Sequence, residues 1–140
     1  MPETLITRPK HRVFPGRPDQ IACARDFTRR ILGPSPVLDE AILLVSELTT
    51  NALEHTATGA AGLFHVTIHL GDSSVVIAVT DNGSSDVPAP ASAVQTLAEA
   101  GRGLELVELI ADRWGHCGDE NGRTVWFELP WKRPESTRPK

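Results

Sequence analysis

Residues 46–55 read Ser-Glu-Leu-Thr-Thr-Asn-Ala-Leu-Glu-His, and this stretch decides the fold. It closes a longer helical segment that opens near Ser35-Pro36. Ser35 is the predicted N-cap, Pro36 the first helical residue, and Asp39 and Glu40 suit the first turns. Val37, Ala41, Leu44, Leu48 and Ala52 recur at helical spacing and form one apolar face. Glu40, Glu47, Asn51 and Glu54 lie along another. Glu47 and Asn51 are four residues apart, so their side chains stand one turn apart. An amide oxygen there can ligate Mg²⁺, and a neighbouring carboxylate can orient or deprotonate an attacking hydroxyl. Taken alone, the pair reads more simply as an exposed polar stripe.

Working outward from this helix, the N-terminal side is punctuated by proline and glycine. Residues 1–10 are polar and read as a disordered tail. His11–Phe14 reads as an edge strand before the Pro15-Gly16 turn. A first helix starts at Pro18-Asp19, carries Ile21, Ala24, Thr28 and Ile31 at helical spacing, and stops at Gly33-Pro34. On the C-terminal side the long helix ends near His55. Phe64, Val66, Ile68 and Leu70 then alternate with His65, Thr67 and His69, which is strand periodicity. Gly71-Asp72-Ser73 turns the chain into a second strand, Val75–Thr80. Residues 84–100 form a long Ser-, Pro- and Ala-rich connection of the kind that often carries function. Leu104, Val107 and Ala111 mark a third helix. A last hairpin pairs Arg113–Cys117 with Thr124–Leu129, and its Asn121-Gly122 pair is a strong turn signal.

The order β-α-α-β-β-loop-α-β-β predicts an α+β, two-layer α/β sandwich. Its sheet is mixed but mostly antiparallel, with the helices on one face. Alternating β-α-β units are lacking, which excludes a doubly wound nucleotide fold. Residues 11–131 read as a single domain, flanked by the 1–10 tail and a polar 132–140 tail.

The chain has 140 residues, 40% hydrophobic and 23% charged, so one core in one domain is expected and no sensor or DNA-binding module beside it. A formal net charge of −4 gives no general attraction to nucleic acid or to an anionic membrane. Basic residues gather in Arg8–Arg12 and Lys132-Arg133 with Arg138 and Lys140, which read as solvated tails. There is no leader pattern and no apolar run long enough to span a bilayer. Cys23 and Cys117 form no CxxC pair, so two reduced, buried thiols in a cytoplasmic protein are expected and no cysteine metal site.

Two further motifs carry chemistry. Asp81-Asn82-Gly83 follows a buried strand directly. The aspartate can accept a hydrogen bond from an exocyclic amine such as adenine N6, and the glycine lets a ligand approach the backbone. The same tripeptide is also good turn chemistry. Gly101-Arg102-Gly103-Leu104 opens the third helix and can cradle phosphate, or can simply be a loop end. It is neither a Walker A loop nor a full dinucleotide fingerprint.

In this order and on these elements, the three motifs resemble the GHKL ATPases, the superfamily of gyrase B, histidine kinases and mismatch-repair ATPases, whose ATP-binding domain is the Bergerat fold. Glu47–His55 resembles the N box, Asp81-x-Gly83 the first glycine box, and Gly101-x-Gly103-Leu104-x-Leu106-Val107 the second. Gly122–Phe127 resembles the closing hairpin, whose threonine approaches the adenine pocket. Small size and the closing Gly122–Pro130 strand are most similar to the anti-sigma-factor serine/threonine kinases of the RsbW and SpoIIAB type. The resemblance covers about residues 11–130. It implies a cytoplasmic bacterial protein that uses ATP and Mg²⁺, phosphorylates an anti-anti-sigma (STAS) partner, sequesters a sigma factor, and forms homodimers in some relatives. It further implies Glu47 as catalytic base, Asn51 as Mg²⁺ ligand and Asp81 as adenine ligand. Gly83, Gly101, Arg102, Gly103, Leu104 and Thr124 would surround the nucleotide. Arg25 falls where relatives contact partners. Two departures stand out: Ser85 replaces a usual glycine, and the lid is short and carries Pro88 and Pro90. An ATP-gated binding module with little or no kinase activity is the alternative reading. His55, His65 and His69 read as structural or solvent-facing. Trp114 and Trp126 read as core, and Trp131 could serve an interface.

Overall fold

Alternation of buried and open side chains builds the sheet. A computed structural model describes residues 8–55, 62–81, 104–119 and 122–130. Its elements are β1 (Lys10–Pro15), α1 (Asp19–Leu32), α2 (Leu38–His55), β2 (Leu63–Leu70), β3 (Ser74–Asp81), α3 (helical residues 104–110), β4 (Arg113–Asp119) and β5 (Gly122–Pro130). The five strands lie in the order β1-β2-β3-β5-β4. All four pairings are antiparallel, so the parallel component of the expected mixed sheet is not found among the described strands. The α+β architecture and the element order are as expected.

One face of the sheet carries the core. Phe64, Val66 and Ile68 of β2, Val75, Ile77 and Val79 of β3, and Phe127 and Leu129 of β5 are buried there. They share one face because a strand's side chains alternate with period two. Phe14 from β1 stacks on Phe64 at 5.1 Å and meets Phe27 of α1 edge-on at 6.1 Å. Burying each such side chain contributes about 1.5–3 kcal/mol. The helices cover this face. The predicted stripe is buried: Val37 in the turn before α2, then Ala41, Leu44, Leu48 and Ala52 of the helix, joined by Val45. Val107 of α3 is fully buried, with Leu104, Leu106 and Ile110 packed against the same core. The hydroxyls of the two buried threonines are satisfied within their helices. Thr28 Oγ1 donates to Ala24 O at 2.9 Å and Thr49 Oγ1 to Val45 O at 2.8 Å.

Helix ends follow the punctuation, with one correction. Asp19 sits in the first turn of α1, and Arg29 and Arg30 in its last, each favoured by the helix dipole. Gly33 ends it at φ +61°, donating its N–H to Arg29 O. The second helix, however, begins at Leu38 rather than at Pro36. Pro36 and Val37 form a turn, and Ser35 Oγ is buried with no hydrogen-bond partner among the described residues, so Ser35 does not cap through its side chain. Three prolines or glycines in Gly33–Pro36 delay regular helix geometry. At the other end of the chain, β1 starts at Lys10, one residue inside the expected tail.

The opposite face of the sheet is not covered by the described helices. Trp126 lies there, over Gly115, and is not a member of the core, contrary to expectation. Trp114, one residue earlier on β4, does pack on the core. Arg113 and Glu128 pair on the open face at 3.0 Å. The Ser74 hydroxyl, and after it Arg113, hold the Glu128 carboxyl below its ordinary value against the opposing effect of burial. His65 also lies on this face; burial, and secondarily the charge of His11, push its pKa below the ordinary imidazole value. Of the two thiols, Cys23 is half-buried, but Cys117 is exposed, which corrects the expectation of two buried cysteines. No helix among the described residues is long and apolar enough to cross a membrane.

Candidate functional site

At the end of β3 the covered face opens into a cleft of about 110 Å³. Leu48 and Ala52 of α2, Val79 of β3, Leu104 of α3 and Val125 of β5 supply apolar walls. Asn51, Asp81, His116, Arg123 and Thr124 supply polar groups, and Cys117 and Gly118 complete the lining. An apolar cleft with a few convergent polar groups suits a small planar ligand with hydrogen-bonding edges.

Each polar group has a local reason to be there. Asn51 sits one turn after Leu48 and directly before Ala52, beside the buried stripe of α2, so helix periodicity carries it to the cleft mouth. Asp81 is the last residue of β3 and shares a sheet face with Val79 and Ile77. It is half-buried and engaged in an interaction of its own. In the β3–β5 register Asp81 pairs with Arg123 and Thr80 with Thr124. Thr124 borders the cleft, yet its hydroxyl lies 2.8 Å from that of Thr80, which alternates onto the uncovered face. Arg123, opposite Asp81, shares the side of Asp81. His116 is stacked on Trp114 with ring centroids 6.0 Å apart and forms the β4 edge. Gly118 follows at φ +126°, a conformation that L side chains rarely adopt.

Four of the expected site residues therefore meet: Asn51, Asp81, Leu104 and Thr124. Glu47 stands one turn before Asn51, half-buried and outside the lining of the cleft. Its neighbour Ser46 accepts from Arg25 Nη1 at 3.3 Å, which ties α1 to α2 and engages the arginine expected at a partner surface. Gly83, Gly101, Arg102 and Gly103 lie outside the described residues, as do Ser85, Pro88 and Pro90. No cluster of three His, Cys, Asp or Glu able to hold a metal occurs among the described residues.

The family model for the histidine kinase-like ATPase domain matches residues 14–129, most of the chain. The chain belongs to the histidine kinase-like ATPase family. That match spans every residue that lines the cleft, and it makes the cleft part of an ATP-binding domain. No curated protein matches the sequence. Among solved structures, the crystal structure of the RsbU and RsbW domains of Rv1364c from Mycobacterium tuberculosis is similar in fold, with a TM-score of 0.70 at 21% identity. The similarity covers 91% of this chain and 34% of that one, so this ATPase-family chain spans about a third of its neighbour's length.

Of the other lining residues of this histidine kinase-like domain, Leu48, Ala52, Val79 and Val125 were legible only as apolar positions, and His116, Cys117, Gly118 and Arg123 were not assigned to a site. These last four lie on the closing hairpin, where only Thr124 was expected near the base. The register was the available signal, because pairing β3 with β5 through their apolar runs puts Arg123 opposite Asp81.

Proposed function

We propose that the cleft holds the base of ATP and that the protein is an anti-sigma factor with serine/threonine kinase activity. The observation that carries this reading is convergence: α2, β3, α3 and β5 bring Asn51, Asp81, Leu104 and Thr124 to one cleft from four separate stretches. Its volume, about 110 Å³, is well below the ~300–1,000 Å³ of pockets that enclose a whole drug-sized ligand. A base fits that space better than a complete nucleotide, and the phosphates would extend outward past Asn51. The donor set fits too. Asp81 would accept from the exocyclic amine, Leu48, Val79 and Val125 would flank the ring, and Asn51 Oδ1 would ligate Mg²⁺. Gly83, Gly101, Arg102 and Gly103 would enclose the phosphates. Mg²⁺ would supply charge neutralisation on the phosphoryl oxygens.

Glu47 would act as base or orienting acid toward a serine or threonine hydroxyl of an anti-anti-sigma (STAS) partner. The sigma factor would be bound when that partner is absent. The setting would be cytoplasmic, and homodimers, as in some relatives, would fit the uncovered sheet face with Trp126. Incubating the protein with radiolabelled ATP, Mg²⁺ and STAS proteins tests the kinase. Label on a partner serine or threonine, lost in a folded Glu47→Ala variant, is the expected result. Full labelling by that variant contradicts the role of Glu47. One observation favours an ATP-gated binding module instead: Ser85 stands where the first glycine box usually carries another glycine. That reading predicts ATP-dependent partner binding that survives loss of Glu47 but not of Asn51 or Asp81.

A further inference from the structure

Away from the cleft, β1 and β2 bring two histidines together. His11 Nε2 lies 3.0 Å from His65 Nδ1. Their rings are stacked, with centroids 5.2 Å apart and planes 25° apart. In the register His11 faces Thr67 and His65 faces Val13, so the two are diagonal neighbours on the uncovered face. We propose that His11 and His65 chelate a divalent transition-metal ion of the imidazole-preferring class, Cu²⁺, Ni²⁺ or Zn²⁺.

The geometry carries the argument. Imidazole nitrogens bind such ions at about 2.0–2.1 Å, so two of them 3.0 Å apart subtend about 94° at a shared ion. That is close to the right angle between adjacent ligands in octahedral and tetragonal coordination, and each ring reaches it by turning its near nitrogen from the other ring toward the ion. The present N···N contact holds one hydrogen between the rings. Shifting that hydrogen to the far nitrogen of its own imidazole gives the other neutral tautomer, with both near nitrogens presenting lone pairs. No proton is gained or lost in that change. Both rings stand on paired strands rather than on a loop, so the ladder fixes their approach. His11 is exposed and His65 half-buried, which leaves room for an ion and its waters. Neither strand contributes a carboxylate. Among the described residues no third ligand completes the set, so water fills the other positions and the ion exchanges readily. The usual stability order makes Cu²⁺ the tightest of the three. His69 occupies the other diagonal position about His11 and serves as an internal control.

Calorimetric titration of the untagged, chelator-stripped chain with Cu²⁺, Ni²⁺ and Zn²⁺ tests the site. One saturable equivalent is expected, tightest for Cu²⁺. His11→Gln and His65→Gln should each weaken it at least tenfold, and His69→Gln less than threefold. Histidine ring proton signals of His11 and His65 should broaden first on adding Cu²⁺, a readout independent of affinity. Circular dichroism checks that the exposed-face variants fold. Absence of saturable binding overturns the proposal and leaves a cross-strand hydrogen bond only. Unchanged affinity in both His11→Gln and His65→Gln, or a loss confined to His69→Gln, overturns it equally.

Discussion

Gly118 gives the sharpest stability prediction, because two separable penalties meet at one residue. A Cβ placed there would lie 2.2 Å from Gly122 O and 2.6 Å from Arg123 Cα, both backbone atoms. No rotamer change relieves such a contact. The residue also holds φ +126°, where an L side chain is strained by about 1–3 kcal/mol. Displacing the packed β5 backbone adds about 1–3 kcal/mol. Gly118→Ala should therefore cost about 2–6 kcal/mol. Two other glycines separate these effects. Gly33 has φ +61° and ψ −169° and nothing within 4 Å of its would-be Cβ, so Gly33→Ala carries only the backbone cost, about 1–3 kcal/mol. At Gly115 the nearest atoms to a Cβ all belong to the Trp126 ring, at 2.8–3.0 Å. That ring sits on the uncovered face and can swing aside, so Gly115→Ala should cost about 1–2 kcal/mol. Urea unfolding followed by circular dichroism at constant m-value measures all three. Gly118→Ala within about 1 kcal/mol of the parent, or more stable than Gly33→Ala, would refute the β4–β5 geometry. That geometry also forms a wall of the cleft, so ATP affinity should fall with it.

The remaining predictions follow from single contacts. Thr80→Val or Thr124→Val strands one hydroxyl of a part-buried pair 2.8 Å apart and should cost about 1–2 kcal/mol each. The double variant should cost less than the sum, and a double-mutant cycle with no coupling would contradict the contact. The folded-state pKa of Glu128 lies below its ordinary 4.5, so its stabilisation is present above that pH and fades as pH falls through the folded value. Glu128→Gln should therefore unfold at lower urea than the parent at neutral pH. The gap should close in the acid range, and a gap that widens there would reverse the sign.

Much of the fold was legible because local and tertiary signals agreed. β2 alternates strictly, and glycine and proline mark nearly every boundary. The open face was less legible. Val125-Trp126-Phe127 is a continuous apolar run, and only pairing with β3 decides that Phe127 points into the core while Trp126 does not. The Ser35 cap failed because Gly33-Pro34 and Pro36 impose a turn before helix geometry can start. In the cleft, Asn51 and Asp81 could be read from their positions on a helix face and at a strand end. Arg123 and His116 could not, since they reach the cleft through strand register, a property of two distant stretches together. Thr124 shows the same limit from the other side, since its hydroxyl is engaged by Thr80.

The central claim is that this cleft binds ATP through Asp81 and Asn51. Equilibrium titration of the folded protein with ATP, with and without Mg²⁺, tests it most directly. Removing a charge-assisted hydrogen bond costs about 1.5–3 kcal/mol, so Asp81→Ala should weaken ATP binding by about 10- to 150-fold. Asn51→Ala should abolish the strengthening by Mg²⁺. Saturable binding with these two losses is the predicted result, and no binding by the parent chain, or unchanged affinity in folded Asp81→Ala, would contradict it.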